Sequence, residues 1–124
     1  NWLKNEKASL IFKSFSRVLK KDGILGVVQH RSNTDAEKFK GEDGYVGEEF
    51  LIVLLENCGF ELVDKAEINS NPFDIKDYPK GVWTLPPTLR DGKKQSYLEI
   101  GESDRMTLKF RKKNNASFAN CHTY

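Results

Sequence analysis

The chain has little of several features that would mark out a particular class of protein. It contains only two cysteines, Cys58 and Cys121, which are far apart and lack the paired spacing of a zinc site, so neither a metal site nor a disulfide framework is predicted. No apolar run approaches the about 20 residues that a membrane span needs. The 20 basic and 18 acidic residues leave a net charge of only +2. These absences argue against a membrane protein and against a nucleic-acid-binding protein.

The location and size of the protein follow from the same totals. Unpaired cysteines and the lack of a signal-peptide pattern at the first residues favour a reducing, cytoplasmic compartment. The first residue is Asn rather than Met, which leaves the true start open. A length of 124 residues, with 38% hydrophobic and 31% charged residues, is typical of one globular domain.

The clearest pattern is a helix that leads into a strand. Apolar residues recur at helical spacing over 5–20, which predicts an amphipathic helix packed on a sheet. Lysines follow, and Gly23 is expected to supply the left-handed residue at which the helix stops. A run of branched apolar residues then predicts a central strand over 23–30 that is buried on both faces.

The rest of the chain predicts further α/β elements around one long irregular segment. The expected elements are a helix over 47–58, a strand over 60–68, and an alternating strand over 106–112. Residues 69–105, called the excursion below, hold all four prolines and are expected to shape a site, with a short helix at 93–100. The polar residues 114–124 show no period and are expected to form a frayed tail.

This order of elements resembles the carboxyl-terminal half of a Rossmann-like S-adenosylmethionine-dependent methyltransferase. The resemblance covers residues 1–113 and includes the Leu-Lys-Lys-Asp-Gly turn at 19–23. Four blocks are similar to a group of predicted bacterial methyltransferases of uncertain substrate: Val28-Gln29-His30-Arg31, Gly44-Tyr45-Val46, Gly81-Val82-Trp83-Thr84-Leu85-Pro86-Pro87 and Gly101-Glu102-Ser103-Asp104-Arg105. The resemblance implies a partial Rossmann-like sheet in which the last strand, 106–112, lies antiparallel between the other two.

The sequence departs from this family at the cofactor site. Such enzymes hold S-adenosylmethionine with a glycine-rich turn after the first strand and an acidic residue at the end of the second, and neither is present here. The resemblance implies S-adenosylmethionine as cofactor and a small-molecule acceptor, with Trp2 at the rim of the cofactor pocket. Whether the chain is an enzyme on its own stays open, because it looks like half of one.

The sequence is therefore consistent with two alternative functions. The chain is either a methyltransferase region that needs a missing amino-terminal half, or a non-enzymatic half-domain that binds a ligand or self-associates. An uncovered strand edge is a template for pairing, so the expected partner is that missing half or a second copy in a homodimer. Neither nucleic acid nor a membrane is an expected partner.

Two candidate site residues, His30 and Arg31, lie at the carboxyl end of the predicted strand 23–30. Ligands of α/β sheets bind at the carboxyl ends of strands. His30 is the candidate catalytic base, because an unperturbed imidazole accepts a proton near neutral pH. The alternative is a histidine that caps the strand end by a hydrogen bond to a loop. Arg31 either holds an anionic acceptor group or forms a structural clamp with Glu42 or Asp43.

Six further residues are candidates for binding the acceptor. They are Tyr45, Asn69, Asn71, Trp83, Asp104 and Arg105. The two aromatic rings either stack on a flat acceptor or cover the edge of the core. The adjacent Asp104 and Arg105 either line the acceptor pocket or lock the excursion to the sheet. The two asparagines either donate hydrogen bonds to the acceptor or form turns.

Overall fold

In the part of the chain that the structure describes, three α-helices and a three-stranded sheet form an α/β fold. The computed structural model describes residues 7–33, 43–113 and 121. Its elements are α1 (Lys7–Val18), β1 (Ile24–His30), α2 (Glu48–Asn57), β2 (Phe60–Ala66), a 3-10 helix (Gly81–Thr84), α3 (Gln95–Ile100) and β3 (Arg105–Lys112). The predicted types of the three α-helices and the three strands are confirmed, with bounds that differ by about two residues, whereas the 3-10 helix was not predicted. None of the helices in these ranges is long and apolar enough to cross a membrane.

The sheet has the order β1-β3-β2, and β3 runs antiparallel to both neighbours. The last strand therefore lies in the centre, as the resemblance implies, while β1 and β2 are parallel to each other without touching. Val27 pairs with Leu108 on one side of β3, and Leu62 pairs with Phe110 on the other. An irregularity between Leu62 and Asp64 shifts the register along β2.

Strict alternation in β3 determines which face of the sheet is buried. Met106, Leu108 and Phe110 are buried, whereas the residues between them point to the opposite face. The buried side chains share one core with residues of α1 and α2, so both helices contribute to the same face. Full burial of a side chain such as Phe110 contributes about 1.5–3 kcal/mol. We call the opposite face, which none of this core covers, the outer face.

The prediction of a central β1 buried on both faces is wrong. β1 lies at the edge of the described sheet, and its residues alternate between exposed and half-buried. Leu25 and Val27 face the core, whereas Val28 on the outer face is 53% exposed. An apolar run without polar residues carries no period-two signal, so the sequence could not show that one face is open.

The turn between α1 and β1 also differs from the prediction. The left-handed residue is Asp22, with φ of 62°, and not Gly23. Gly23 is required for space instead, because a Cβ there would lie 2.8 Å from the carbonyl oxygen of Lys20. The Gly23 N–H donates to this same oxygen, and the bond closes the turn.

The two cysteines are joined by a disulfide, so the expectation of unpaired thiols is wrong. Cys58 caps the carboxyl end of α2, and both cysteines are buried. Cys121 also lies against the carbonyl oxygen of Ser9 in α1. The two cysteines are 63 residues apart in the sequence, and their proximity depends on the packing of the folded chain. The other residues of the predicted tail, 114–120 and 122–124, lie outside the described residues.

Candidate functional site

A polar cluster surrounds the carboxyl end of β1, where the excursion folds back over the sheet. His30 is the last residue of the strand, and its Nδ1 lies 2.5 Å from the hydroxyl oxygen of buried Ser103. The imidazole also meets the ring of Tyr45 edge-on, with centroids 6.4 Å apart. No described residue forms a hydrogen bond with Nε2. When Nδ1–H donates to Ser103, Nε2 carries a lone pair that can accept a proton.

The surroundings of His30 favour its neutral form. Burial lowers the pKa of the imidazole, and the positive charge of Arg105 lowers it further. Asp74 and Glu102 act in the opposite direction without reversing the shift. A neutral imidazole is the form that can act as a base, so the geometry is compatible with both the catalytic interpretation and the capping interpretation of this residue.

Arg31 lies at the centre of an ionic cluster. Its Nε and Nη2 donate to the two carboxylate oxygens of Asp104, each at 3.0 Å. Its Nη1 donates to Glu48 at 3.2 Å and to Glu67 at 2.9 Å. The hydrogen bonds with Asp104 raise the pKa of the guanidinium. This arrangement corresponds to the structural clamp that was one alternative for Arg31, and its described partners do not include Asp43.

The strand pairing explains the change of partners. The backbone N–H of Arg31 donates to the carbonyl oxygen of Asp104, so the antiparallel ladder continues past β1 and brings their side chains together. Of the expected partners, Asp43 instead accepts a hydrogen bond from the N–H of Tyr45, and Glu42 lies outside the described residues.

Asp104 receives donors from three directions. Besides Arg31, Lys76 contacts it at 2.8 Å and the N–H of Asn71 donates to it at 2.8 Å. Burial opposes the charge of this carboxylate, yet the hydrogen bonds from Arg31 and Lys76 hold its pKa well below the usual range. Asp104 therefore ties the excursion to β1, which is the locking role considered for it. The cations that contact Asp104 are Arg31 and Lys76 rather than the adjacent Arg105.

A second buried carboxylate completes the cluster. The Tyr45 hydroxyl donates to Asp74, 3.0 Å from both oxygens, and the N–H groups of Asp104 and Lys76 donate to Asp74 as well. Burial raises the pKa of the Tyr45 hydroxyl, and the negative charge of Asp74 raises it further. Tyr45 is thus a buried packing residue that touches His30 with its ring.

The remaining predicted residues divide into those near the cluster and those away from it. Asn71 donates to the carbonyl oxygens of residues 100 and 102, and Asn69 donates to the hydroxyl of Thr107. Both asparagines therefore fix the excursion. Trp83 lies in the 3-10 helix, partly exposed, with the guanidinium of Arg90 5.3 Å above its ring. Trp2 lies outside the described residues.

The members of the cluster that were missed from the sequence include Glu48 and Glu67, which contact Arg31, and three residues of the excursion. Asp74, Lys76 and Ser103 lie in the excursion, where no periodic pattern identifies buried positions. Ser103 is 73 residues from its partner His30, and Asp74 is 29 residues from Tyr45. The proximity of Ser103 to the Asp104-Arg105 pair in the sequence was the one available signal.

The described residues do not fit an S-adenosylmethionine site. Gly26 lies inside β1 rather than in a turn that opens a helix, and the open side of Gly44 is filled by the side chain of Val82. No group of three or more His, Cys, Asp or Glu among the described residues could hold a metal ion. No family model, curated protein or solved structure matches the chain.

Proposed function

We propose that this chain is the acceptor-binding part of an S-adenosylmethionine-dependent methyltransferase, with His30 as the base that serves a small-molecule acceptor. The observation that carries the proposal is the half-buried imidazole at the carboxyl end of β1, held by Ser103 at Nδ1 and with Nε2 unoccupied by any described residue; burial lowers its pKa and so favours the neutral form. Ligands of α/β sheets bind at this end of their strands. The central, antiparallel position of β3 supports the same assignment.

In this proposal each part of the cluster has a distinct task. An acceptor that carries N–H or O–H must lose a proton when it gains a methyl group, and His30 Nε2 receives that proton. Ser103 holds the ring through Nδ1, and Tyr45 supports one ring edge. The contacts of Asp104 keep the excursion in place beside the imidazole. Positioning of this kind is a large part of the acceleration in two-substrate reactions.

The cofactor is held by polypeptide other than the described residues, and the free edge of β1 is where that polypeptide joins. The backbone groups of Ile24, Gly26 and Val28 that point away from β3 have no partner among the described residues. Among the described residues, only the end of the edge is covered, by a bridge between Arg31 and Val46. The helix α1, which precedes β1 in the chain, also exposes apolar side chains, including Val18 at 79%. A missing amino-terminal half would supply the strand that covers these groups.

Calorimetry with S-adenosylmethionine tests this proposal. The 124-residue chain is expected not to bind the cofactor, whereas a version extended by its upstream coding sequence is expected to bind it. In the extended version, His30→Gln should leave cofactor affinity unchanged and reduce methyl transfer by about 10²-fold or more, the usual effect of losing a general base. Binding by the shorter chain, or an upstream sequence without a cofactor-binding turn, would contradict the proposal.

The same edge favours one alternative function, a half-domain that self-associates. The segment 24–29 contains neither charge nor proline, the residues that usually protect an edge strand from pairing. Two copies of β1 paired antiparallel about Gly26 would place Ile24 of one copy opposite Val28 of the other. Such a pairing is self-complementary, as a symmetric dimer requires.

Cysteine cross-linking distinguishes the alternative. Gly26→Cys adds a side chain where a Cβ meets no atom within 4 Å. In the proposed dimer the two residues 26 would have Cα atoms about 5.5 Å apart, within disulfide range. Lys109→Cys is the matched control. Lys109 lies in β3 opposite Gly26, so the Cα atoms of residue 109 in the two copies would lie roughly 14 Å apart. Equal cross-linking of both variants, or a monomer by light scattering, would exclude this dimer.

A further inference from the structure

Arg105 carries a charge that the described residues leave without a partner. Its Nε is buried and forms no hydrogen bond, and no carboxylate among the described residues pairs with its guanidinium. The neighbouring arginines differ in this respect, since Arg31 contacts three carboxylates and Arg111 faces Glu61. A buried donor without an acceptor is unfavourable, and more so when it is charged. Such a group is typical of a site that a ligand completes.

The position of Arg105 relates it directly to the candidate base. Arg105 is directly opposite His30 in the ladder between β1 and β3, and paired residues project from the same face. Cβ atoms of such a pair lie about 4.5–5.5 Å apart. A ligand that contacts the guanidinium of Arg105 is therefore within reach of the imidazole as well.

We propose that Arg105 and His30 form a binding site for a carboxylate or phosphate group. A guanidinium donates two parallel hydrogen bonds to either anion, which is the interaction that the unpartnered Arg105 offers. If the methyltransferase assignment above is correct, this anion belongs to the acceptor. Arg31, the residue first considered for this task, is instead occupied by Asp104, Glu48 and Glu67.

The outer face indicates what the rest of the ligand is. A groove of about 400 Å³ lies along this face. Its lining includes the uncharged residues Ile24, Gly26, Ala66 and Thr107 and the charged residues Asp64, Lys65 and Lys109. Thr107 is two residues from Arg105 on the same face of β3, about 7 Å away. The groove floor is mainly apolar, so the ligand that fits both features is an anion with an apolar body.

The site couples ligand binding to the basicity of His30. Among the described residues, the charged and titratable groups that face the imidazole are Arg105 from β3, Asp74 and Glu102 from the excursion, and Tyr45 before α2. Of these, only Arg105 adds positive charge. An anion bound to Arg105 cancels this charge, so the pKa of His30 rises when the ligand is present. The ligand would thus strengthen the base that acts on it.

NMR titration of the imidazole measures this coupling on the 124-residue chain. The probes are acetate and inorganic phosphate at constant ionic strength, with chloride as the reference, and His122→Asn identifies the His30 signal. We expect the pKa of His30 to rise saturably with acetate or phosphate. Arg105→Gln should raise the pKa without any probe and abolish the response. Arg111→Gln, on the same face of the same strand, should respond as the unchanged chain does.

Two results would overturn the site. One is a His30 pKa that is the same in chloride, acetate and phosphate, and the other is an equal response in Arg105→Gln. Failure of the methyltransferase proposal is separate, because it is read from cofactor binding by the extended chain. An Arg105-dependent response without any cofactor binding would leave an anion site in a protein that is not a methyltransferase.

Discussion

Asp104→Asn is the substitution that tests most directly how the excursion is held on the sheet. The change keeps the shape of the side chain but removes the charge that Arg31 and Lys76 contact at 3.0 and 2.8 Å. The three side chains are only 7%, 15% and 11% exposed, so water cannot replace the lost partner. Removal of one member of a buried ion pair typically costs about 3–5 kcal/mol. We expect a loss near 3 kcal/mol, because Arg31 keeps Glu48 and Glu67.

Urea denaturation followed by circular dichroism measures this loss. Glu61→Gln is the control, since Glu61 pairs with Arg111 where both side chains are half-exposed, and such pairs contribute at most about 1 kcal/mol. A loss below about 1 kcal/mol for Asp104→Asn would show that the ionic cluster does not hold the excursion.

The same comparison has a defined pH dependence. The folded pKa of Asp104 lies below the ordinary value of 3.8, so its stabilisation is complete above that value and is lost as the pH falls through the folded pKa. The stability difference between the original chain and Asp104→Asn should therefore shrink as the pH falls from about 5 to 2. A stability difference that stays constant over this interval would show that the stabilisation does not come from the charge of Asp104.

Three further substitutions have expected outcomes that the same denaturation assay measures. Serine at both Cys58 and Cys121 should lower the free energy of unfolding by about 4 kcal/mol, since the disulfide spans 63 residues, and a reductant should then have no further effect. Gly44→Ala should be strongly destabilising, because φ is 87° and a neighbouring valine fills the space, whereas Gly26→Ala should be nearly neutral; equal losses would contradict the local geometry. Tyr45→Phe removes a hydrogen-bond donor to a buried carboxylate and should lower the free energy of unfolding by about 1–3 kcal/mol. The circular dichroism spectrum of the folded protein should stay unchanged, because only the hydroxyl is lost.

The helices and strands of this fold were predictable where apolar residues recur at regular spacing in the sequence. The alternation in 106–112 predicted the existence of β3, and the helix α2 followed from apolar spacing. β1 was placed correctly along the chain, but a uniformly apolar run does not say which of its faces is covered or whether it lies at an edge. That information depends on which strand pairs with β1, and its partner lies far along the chain: Val27 pairs with Leu108, 81 residues later.

The site was predictable only in part, for the same reason. His30 and Arg31 were found because they end an apolar strand, a local signal. Their partners come from distant segments, since Ser103 and Asp104 approach only after β3 has paired with β1. The disulfide is a similar case, because the spacing of two cysteines says nothing about helices that bring them together. The unpartnered charge of Arg105 is a property of packing and has no counterpart in the sequence.

The central place of β3 also has a consequence for synthesis of the protein. β1 and β2 share no backbone hydrogen bond, so neither has a strand partner within this sheet until residues 105–112 have left the ribosome. Non-local pairing of this kind is slow and leaves apolar strands uncovered in the meantime. During translation, β1 and β2 should consequently stay unpaired within this sheet until β3 becomes available.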